Sequence, residues 1–387
     1  MKISKKIINN KNKPYERKNT MDKPKDYTFE APVEPELWEE PHFSTDHAYS
    51  IAFVGDPQYI TCGDYFLGTK KNDQMFGYIA DTAKERKLEH VIILGDMTDM
   101  GYHNDANMSY VGIKRQGYIT EEWEISQKAI FKLGEAGIPY SVVRGNHDDY
   151  MIDDYFNVPE YTDQFKGCGG FFSDPDTRYP TCREPENPEG HIYWSAKTGV
   201  HTETISNSWR TAEIHGVKYL FVTVDYNPSK AVIEWVDEIL GKYPDHRAIV
   251  SLHSYLTRRG TLVASEKGDT MFPLGYPATE LWELALRKHA NVVMVVSGHI
   301  GALAPIHSWN EGDNGNRVLQ LLIDPQDYDT KEIMKDGEIV IEHGKQDTGL
   351  VCYFNFTEDG KTFTIDCYST LLNKFLKYEE NTFTLDV

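Results

Sequence analysis

Val142-Val143-Arg144-Gly145-Asn146-His147-Asp148-Asp149 is an apolar run followed by a glycine, an amide, an imidazole and a carboxylate in close succession. It reads as a β-strand ending in a turn whose side chains suit a metal ion. Working outward, three more apolar runs end alike: Ile51 to Gly55 meets Asp56-Pro57-Gln58, Val91 to Gly95 meets Asp96-Met97-Thr98-Asp99, and Val292 to Gly298 meets His299. A fifth run, Ala248 to Leu252, ends at His253. One carboxylate past a buried strand is a common way to open a turn or cap a helix. Five such junctions form a pattern, because loops leaving the carboxyl ends of strands in an α/β sheet converge on one point. Asp, Asn and His are donors that divalent transition metals take.

The chain around these junctions has 387 residues, 40% of them hydrophobic and 12% aromatic, enough apolar surface for a sizeable core. That length allows several average domains or one enlarged α/β domain. The net charge of −20 argues against a nucleic-acid partner, which needs clustered Lys and Arg. Basic residues cluster once, from Lys2 to Lys25, among few apolar ones, and Pro24, Pro32, Pro35 and Pro41 follow. Residues 1–44 are therefore read as a disordered, basic and Pro-rich tail. No apolar h-region follows the lysines and no run spans a membrane, so a cytoplasmic location is expected, with secretion or surface association left open. Five cysteines without Cys-x-x-Cys spacing suit reduced thiols, with a Cys168–Cys182 pair as the alternative in an oxidising compartment. The oligomeric state is not legible.

The main domain is read over residues 45–370, with 371–387 as a C-terminal extension. Strands are expected at Ile51 to Val54, Leu88 to Leu94 and Ile138 to Val143, with helices at Asp73 to Lys87 and Thr120 to Ala136 between them, an α/β alternation. Residues 149–207 lose the pattern to aromatics, prolines and glycines and read as an irregular, substrate-shaping insertion. Then come a hairpin through His215-Gly216, a helix from Ser229 to Leu240, a strand from Ala248 to Leu252, a helix from Ala278 to Lys288 and a strand from Val292 to Ser297. Late strands at Val318 to Ile323, Leu350 to Phe356 and Phe363 to Tyr368 are assigned to the second sheet of a sandwich.

A metal-dependent phosphoester hydrolase needs two cations, a carboxylate shared between them and an activated water in line with the leaving oxygen. Asp96 is the natural bridge, having two oxygens to give. Asn146, His253 and His299 complete one site with Asp96, and Asp56 and Gln58 join it at the other. His147 is placed to protonate the leaving group and Asp99 to hold its imidazole. Arg144, Arg258 and Arg259 are candidates for neutralising substrate phosphate.

Taken together, Asp56-Pro57-Gln58, Gly95-Asp96-Met97-Thr98-Asp99, Gly145-Asn146-His147-Asp148, His253 and Gly298-His299 resemble the calcineurin-like metallophosphoesterase superfamily, over about residues 47 to 325. The resemblance implies an α/β fold, a four-layer α/β/β/α sandwich of two mixed sheets. It also implies two divalent metal ions, the residue roles just given, and hydrolysis of a phosphomonoester or phosphodiester. The ions are expected to be Mn, Fe or Zn, and an aromatic-rich rim is compatible with a phosphorylated small molecule, lipid or glycan as substrate. Two positions depart from it: Gln58 and Gly301 stand where the superfamily usually has histidines, and both fall on the Asp56 site. The chain resembles in this a bacterial branch of the superfamily that also ends a late strand in Asp-x-Gln, here Asp324-Pro325-Gln326. An oxygen-only Asp56 site favours Mn or Mg over Zn, or is weakly occupied. His307, His103 and Asp324 are the candidates to replace the missing ligand. The alternative function is a non-catalytic binding module of the same fold with one metal site intact.

Overall fold

Strands buried on both faces need an apolar side chain at every position, and the central runs of this chain meet that demand. In Tyr49–Val54 (β2), Ile51 and Phe53 point to one core while Ala52 and Val54 point to another. The computed structural model describes residues 35–61, 68–99, 118–148, 152–156, 170–173, 194–195, 199–200, 203–226, 228–264, 275–302, 304–325, 331–335, 338–342 and 348–387. The tail over residues 1–34 lies outside them, as do Cys62, Cys168, Cys182, His103 and much of the 149–207 insertion.

Two mixed sheets form the centre. The first runs β1 (Trp38–Glu39), β18 (Lys374–Leu376), β17 (Thr362–Ser369), β16 (Leu350–Phe356), β2, β3 (Leu88–Ile93) and β4 (Tyr140–Val142), with β19 (Thr382–Thr384) on β17. The second runs β12 (Ile306–Glu311), β13 (Arg317–Leu322), β11 (Val292–Ser297), β10 (Arg247–Leu252), β9 (Val217–Val224), β8 (Glu203–Ile214) and β5 (Gly170–Ser173). Two small hairpins, β6 (Trp194–Ser195) with β7 (Gly199–Val200) and β14 (Lys331–Lys335) with β15 (Glu338–Glu342), stand apart.

Three apolar layers hold these elements together. Between the sheets, Ile51, Phe53, Ile92 and Phe354 meet Phe221, Ile249, Met294, Val296 and Leu321. Outside the first sheet, helices Gly68–Thr82 and Tyr118–Glu135 pack Phe76, Ile79, Trp123 and Ile130 onto Val54, Val91 and Ile93. Outside the second, helices Lys230–Lys242 and Ala278–Leu284 pack Ile233, Val236 and Leu281 onto Val222, Val250 and Val295. The result is the four-layer α/β/β/α sandwich expected.

Several elements depart from the sequence reading. The first helix spans Gly68–Thr82 rather than Asp73 to Lys87: buried Asn72 donates to the Ile60 and Gly68 carbonyls, and Lys87, at φ 50°, turns the chain into β3. The helix expected at Ser229 to Leu240 spans Lys230–Lys242, with Ser229 as its N-cap and Val232, Ile233 and Val236 turned into the core. Only β13 of the late strands joins the second sheet; β16 and β17 belong to the first. There β16 pairs antiparallel with the open edge of β2, and Phe354 packs on Phe53 with ring centroids 4.4 Å apart. Residues 35–44, read as tail, and 371–387, read as an extension, contribute β1, β18 and β19 to that sheet. Cys352 and Cys367 face each other across β16 and β17 as buried free thiols, Sγ to Sγ 3.2 Å.

Strand direction positions the site. β2, β3 and β4 are mutually parallel, and so are β9, β10, β11 and β13. Seven carboxyl ends therefore carry polar residues just beyond them: Asp56, Asp96, Asn146, Asp225, His253, His299 and Asp324.

Candidate metal centre

The strand-end residues reach one another because the chain turns back sharply as it leaves the sheets. Asp56, Asp96 and His299 have φ of 26°, 47° and 72°, in the left-handed region that side chains other than glycine rarely enter. Small residues beside them allow close approach. A Cβ on Gly145 would lie 2.1 Å from Asp96 Oδ1, and one on Gly298 would lie 2.1 Å from Asp56 Oδ1. The glycine before a polar strand-end residue in one loop is thus the room that such a residue from another loop occupies.

His253 is fully buried, and its Nδ1–H donates to the Leu94 carbonyl at 2.8 Å. This sets the tautomer and leaves Nε2 as the donor atom for a metal. Nε2 lies 3.0 Å from Asn146 Oδ1 and 3.2 Å from Asp96 Oδ1. Ligand atoms of Asp96, His253 and His299 all fall within 4.8 Å of one another. The His253 and His299 rings are 4.8 Å apart, and Tyr226, buried, packs its ring against both.

Asp56 is buried, and its Oδ2 accepts the backbone N–H of His299 at 2.9 Å. Its Oδ1 is buried without a hydrogen-bond partner. Gln58, also buried, opens the short helix Gln58–Thr61. Burial pushes the Asp56 carboxyl well above the usual carboxylate range, and the charges of Asp324 and Asp96 push the same way. At Asp96 burial works upward too, but the His253, His147 and His299 imidazoles outweigh it and hold the carboxyl well below that range. Of the three carboxyls Asp56, Asp96 and Asp148, Asp96 is the one whose surroundings favour the charged form.

His147 is partly buried. Its Nδ1–H donates to the Asp99 backbone carbonyl at 2.7 Å, while the Asp99 carboxylate stands off at 3.7 Å. Orientation thus comes from the Asp99 main chain and charge support from its side chain. The Asp99 N–H in turn donates to Glu122 Oε2 at 3.1 Å, so the helix Tyr118–Glu135 fixes this loop.

Asp148, quoted in the motif but given no role from sequence, links the loops after β3 and β4. Its Oδ1 accepts the N–H groups of Met97 at 2.7 Å and Thr98 at 3.1 Å, and its Oδ2 accepts that of Gly145 at 2.8 Å. Burial, with the Asp96 charge, pushes its carboxyl up to about 6. An amide at this position would turn its NH₂ toward a backbone N–H and leave buried donors facing each other. Asp148→Asn is expected to lose about 1–3 kcal/mol of stability, read from chemical denaturation of the metal-free protein. Unchanged stability would mean that the loops do not depend on this clamp.

The three arginines are placed differently from one another. Arg144 is buried and donates from Nε to Asp225 Oδ1 at 2.6 Å. Its Nε is committed to the carboxylate at the end of β9. Asp225 could have been found by the strand-end rule that found the others, since it directly follows the apolar run Tyr219 to Val224. Arg258 and Arg259 are exposed on the loop after β10. His307 sits on β12 against Glu380 and Phe383. Asn355, in a glycosylation-like triplet, is buried in β16 and donates to Asp366.

No helix among the described residues is long and apolar enough to cross a membrane. Among curated proteins, the uncharacterised protein YvnB of Bacillus subtilis is 23% identical over 253 residues, 65% of this chain; the match covers only 15% of that protein's length. Among solved structures, a dimetal phosphatase from Danio rerio aligns over 88% of this chain and all of its own, at 13% identity and a TM-score of 0.44. Purple acid phosphatase PPD1 from yellow lupin aligns over 89% of this chain and 55% of its own, at 12% identity and a TM-score of 0.46. Residues 49–303, more than half of the sequence and all but one of the strand-end junctions described above, match the calcineurin-like phosphoesterase family, and the chain belongs to it.

Proposed function

We propose that this protein hydrolyses a phosphomonoester or phosphodiester at a centre holding two divalent cations. The observation that carries the reading is His253. With Nδ1–H given to Leu94, its Nε2 lone pair faces Asn146 Oδ1 and Asp96 Oδ1 at 3.0 and 3.2 Å. Three donor atoms aimed at one point repel until a cation, or a proton on the ring, stands among them. The buried Oδ1 of Asp56, without a hydrogen bond, supports a second cation nearby.

Asp96, Asn146, His253 and His299 would hold one ion, and Asp56, Asp96 and Gln58 the other. When bound, such ions polarise phosphoryl oxygens and lower the pKa of water. The chain's own groups do the rest. His147, tethered through Nδ1, is left with Nε2 to give a proton to the leaving oxygen. Asp99 keeps that imidazole oriented and favours its charged form. Arg258 and Arg259, exposed, meet the charge of an incoming phosphate ester. Arg144 holds the rim through Asp225 and in this reading does not touch substrate.

The test is turnover of a panel of phosphomonoesters and phosphodiesters by purified protein supplied with Mn²⁺, Fe²⁺ or Zn²⁺, with metal content measured on the same sample. Hydrolysis that disappears on chelation and returns with metal is the expected result. Folded, metal-loaded protein that turns over neither class would sink the reading and leave a ligand-binding module.

A further inference from the structure

The Asp56 side of the centre lacks both histidines that the superfamily resemblance calls for, at Gln58 and Gly301. Strand geometry brings another carboxylate to the same place. β11 and β13 run parallel with Ser297 opposite Leu322, so two residues on, Asp324 comes level with His299. The Ile323 N–H donates to the Ser297 carbonyl at 2.8 Å, carrying the pairing past the end of β13. Ala302 donates its N–H to the Asp324 carbonyl at 2.6 Å. The residue without a side chain, Gly301, is therefore a close neighbour of Asp324.

The first sheet is brought to this point by Gly55. A Cβ there would lie 2.2 Å from the Ile323 carbonyl oxygen, so only glycine lets the exit of β2 press on the exit of β13. As a result the Asp324 carboxyl lies within hydrogen-bonding reach of Asp56, and both side chains are buried. Two carboxylates buried side by side call for a cation or a shared proton between them. Asp56 Oδ1 accepts no hydrogen bond from the protein.

We propose that Asp324 is a direct ligand of the cation on the Asp56 side, standing in for the histidine absent at position 301. Asp56, Asp324 and bridging Asp96 then form an all-carboxylate set, to which Gln58 can add a carbonyl oxygen. Such a set prefers Mn²⁺ or Mg²⁺, while the His253–His299 set tolerates softer ions. The two halves of the centre would differ in affinity and in metal preference. This assignment rests on the binuclear reading above.

The test titrates metal-free protein with Mn²⁺, counting bound ions by electron paramagnetic resonance and calorimetry, for wild type, Asp324→Asn, Asp56→Asn and His253→Ala. Wild type is expected to take up two ions. Asp324→Asn and Asp56→Asn should each weaken the same ion by at least about 10- to 100-fold, the scale of losses seen even for groups one step further from a metal. The ion removed by His253→Ala should be the other one. Thermal melting gives a second readout: saturating Mn²⁺ should raise the melting temperature of wild type by more than that of Asp324→Asn, since the variant has lost a ligand of one ion. Two ions bound to Asp324→Asn with unchanged affinity would overturn the assignment, leave the binuclear reading standing, and point to a proton shared between Asp56 and Asp324. A single ion bound to wild type at the His253 site would overturn both.

Discussion

Asp96→Asn is expected to reduce turnover by on the order of 10³-fold or more, and to release at least one cation. Asp96 is buried, and Oδ1 accepts the His147 N–H at 2.9 Å while facing His253 Nε2 at 3.2 Å. The surrounding imidazoles keep it ionised despite burial. An asparagine matches its volume and can still accept from His147, so the loop remains in place. What it lacks is the negative charge that two cations would share. Metal-assisted chemistry contributes several kcal/mol to the transition state, and each ~1.4 kcal/mol is tenfold in rate. Steady-state kinetics with elemental analysis of the same protein decides the matter. Two retained ions with more than a tenth of the activity would exclude Asp96 as the bridge.

His147→Asn is expected to show a leaving-group-dependent defect. On an ester with an alkyl alcohol as leaving group, kcat should fall by about 10²- to 10⁴-fold, the usual worth of a general acid. On a nitrophenyl ester, whose leaving oxygen departs without a proton, the fall should be far smaller. Metal content should not change, because in this assignment the His147 imidazole holds no ion. Equal losses on both esters would make His147 a structural residue of the turn.

The pH profile carries the same logic. Burial pulls the His147 pKa down, but the charges of Asp96 and Asp99 and the hydrogen bond to the Asp99 carbonyl outweigh it, and the net direction is up. A general acid works only while protonated, so the rate on the alkyl ester is lost as pH rises through that pKa. Cations on Asp96 offset its share of the support and leave Asp99 as the main group that keeps His147 charged. Asp99→Asn should therefore move the alkaline limb of the profile to lower pH without shifting the limb set by metal binding.

Much of the site was legible because buried parallel strands advertise themselves. An unbroken apolar run can be satisfied only by cover on both faces, and polar residues that follow it must lie at the sheet's rim. Asp56, Asp96, Asn146, His253 and His299 were singled out as candidates that way, and the α/β layering was legible with them. Local sequence could not say which strand ends meet across the two sheets. The contact of Gly55 with Ile323 joins positions 268 residues apart, counted from their numbers, and brings Asp324 beside Asp56. The clamp by Asp148, the tether from His147 to a carbonyl rather than a carboxylate, and the pairing of Arg144 with Asp225 are likewise matters of distance in space.

The sheet assignment of β16 and β17 shows the same boundary. Their apolar pattern suits a strand in either layer, and the open edge of β2 with Phe53 beneath Phe354 made the choice. Sequence alone determined the central strands, their covering helices and which residues end up at the rim, because these follow from the period and polarity of neighbouring side chains. Tertiary structure alone decided which rim residues share a point, because that depends on where glycine permits two backbones to touch and on which strand edge is left open.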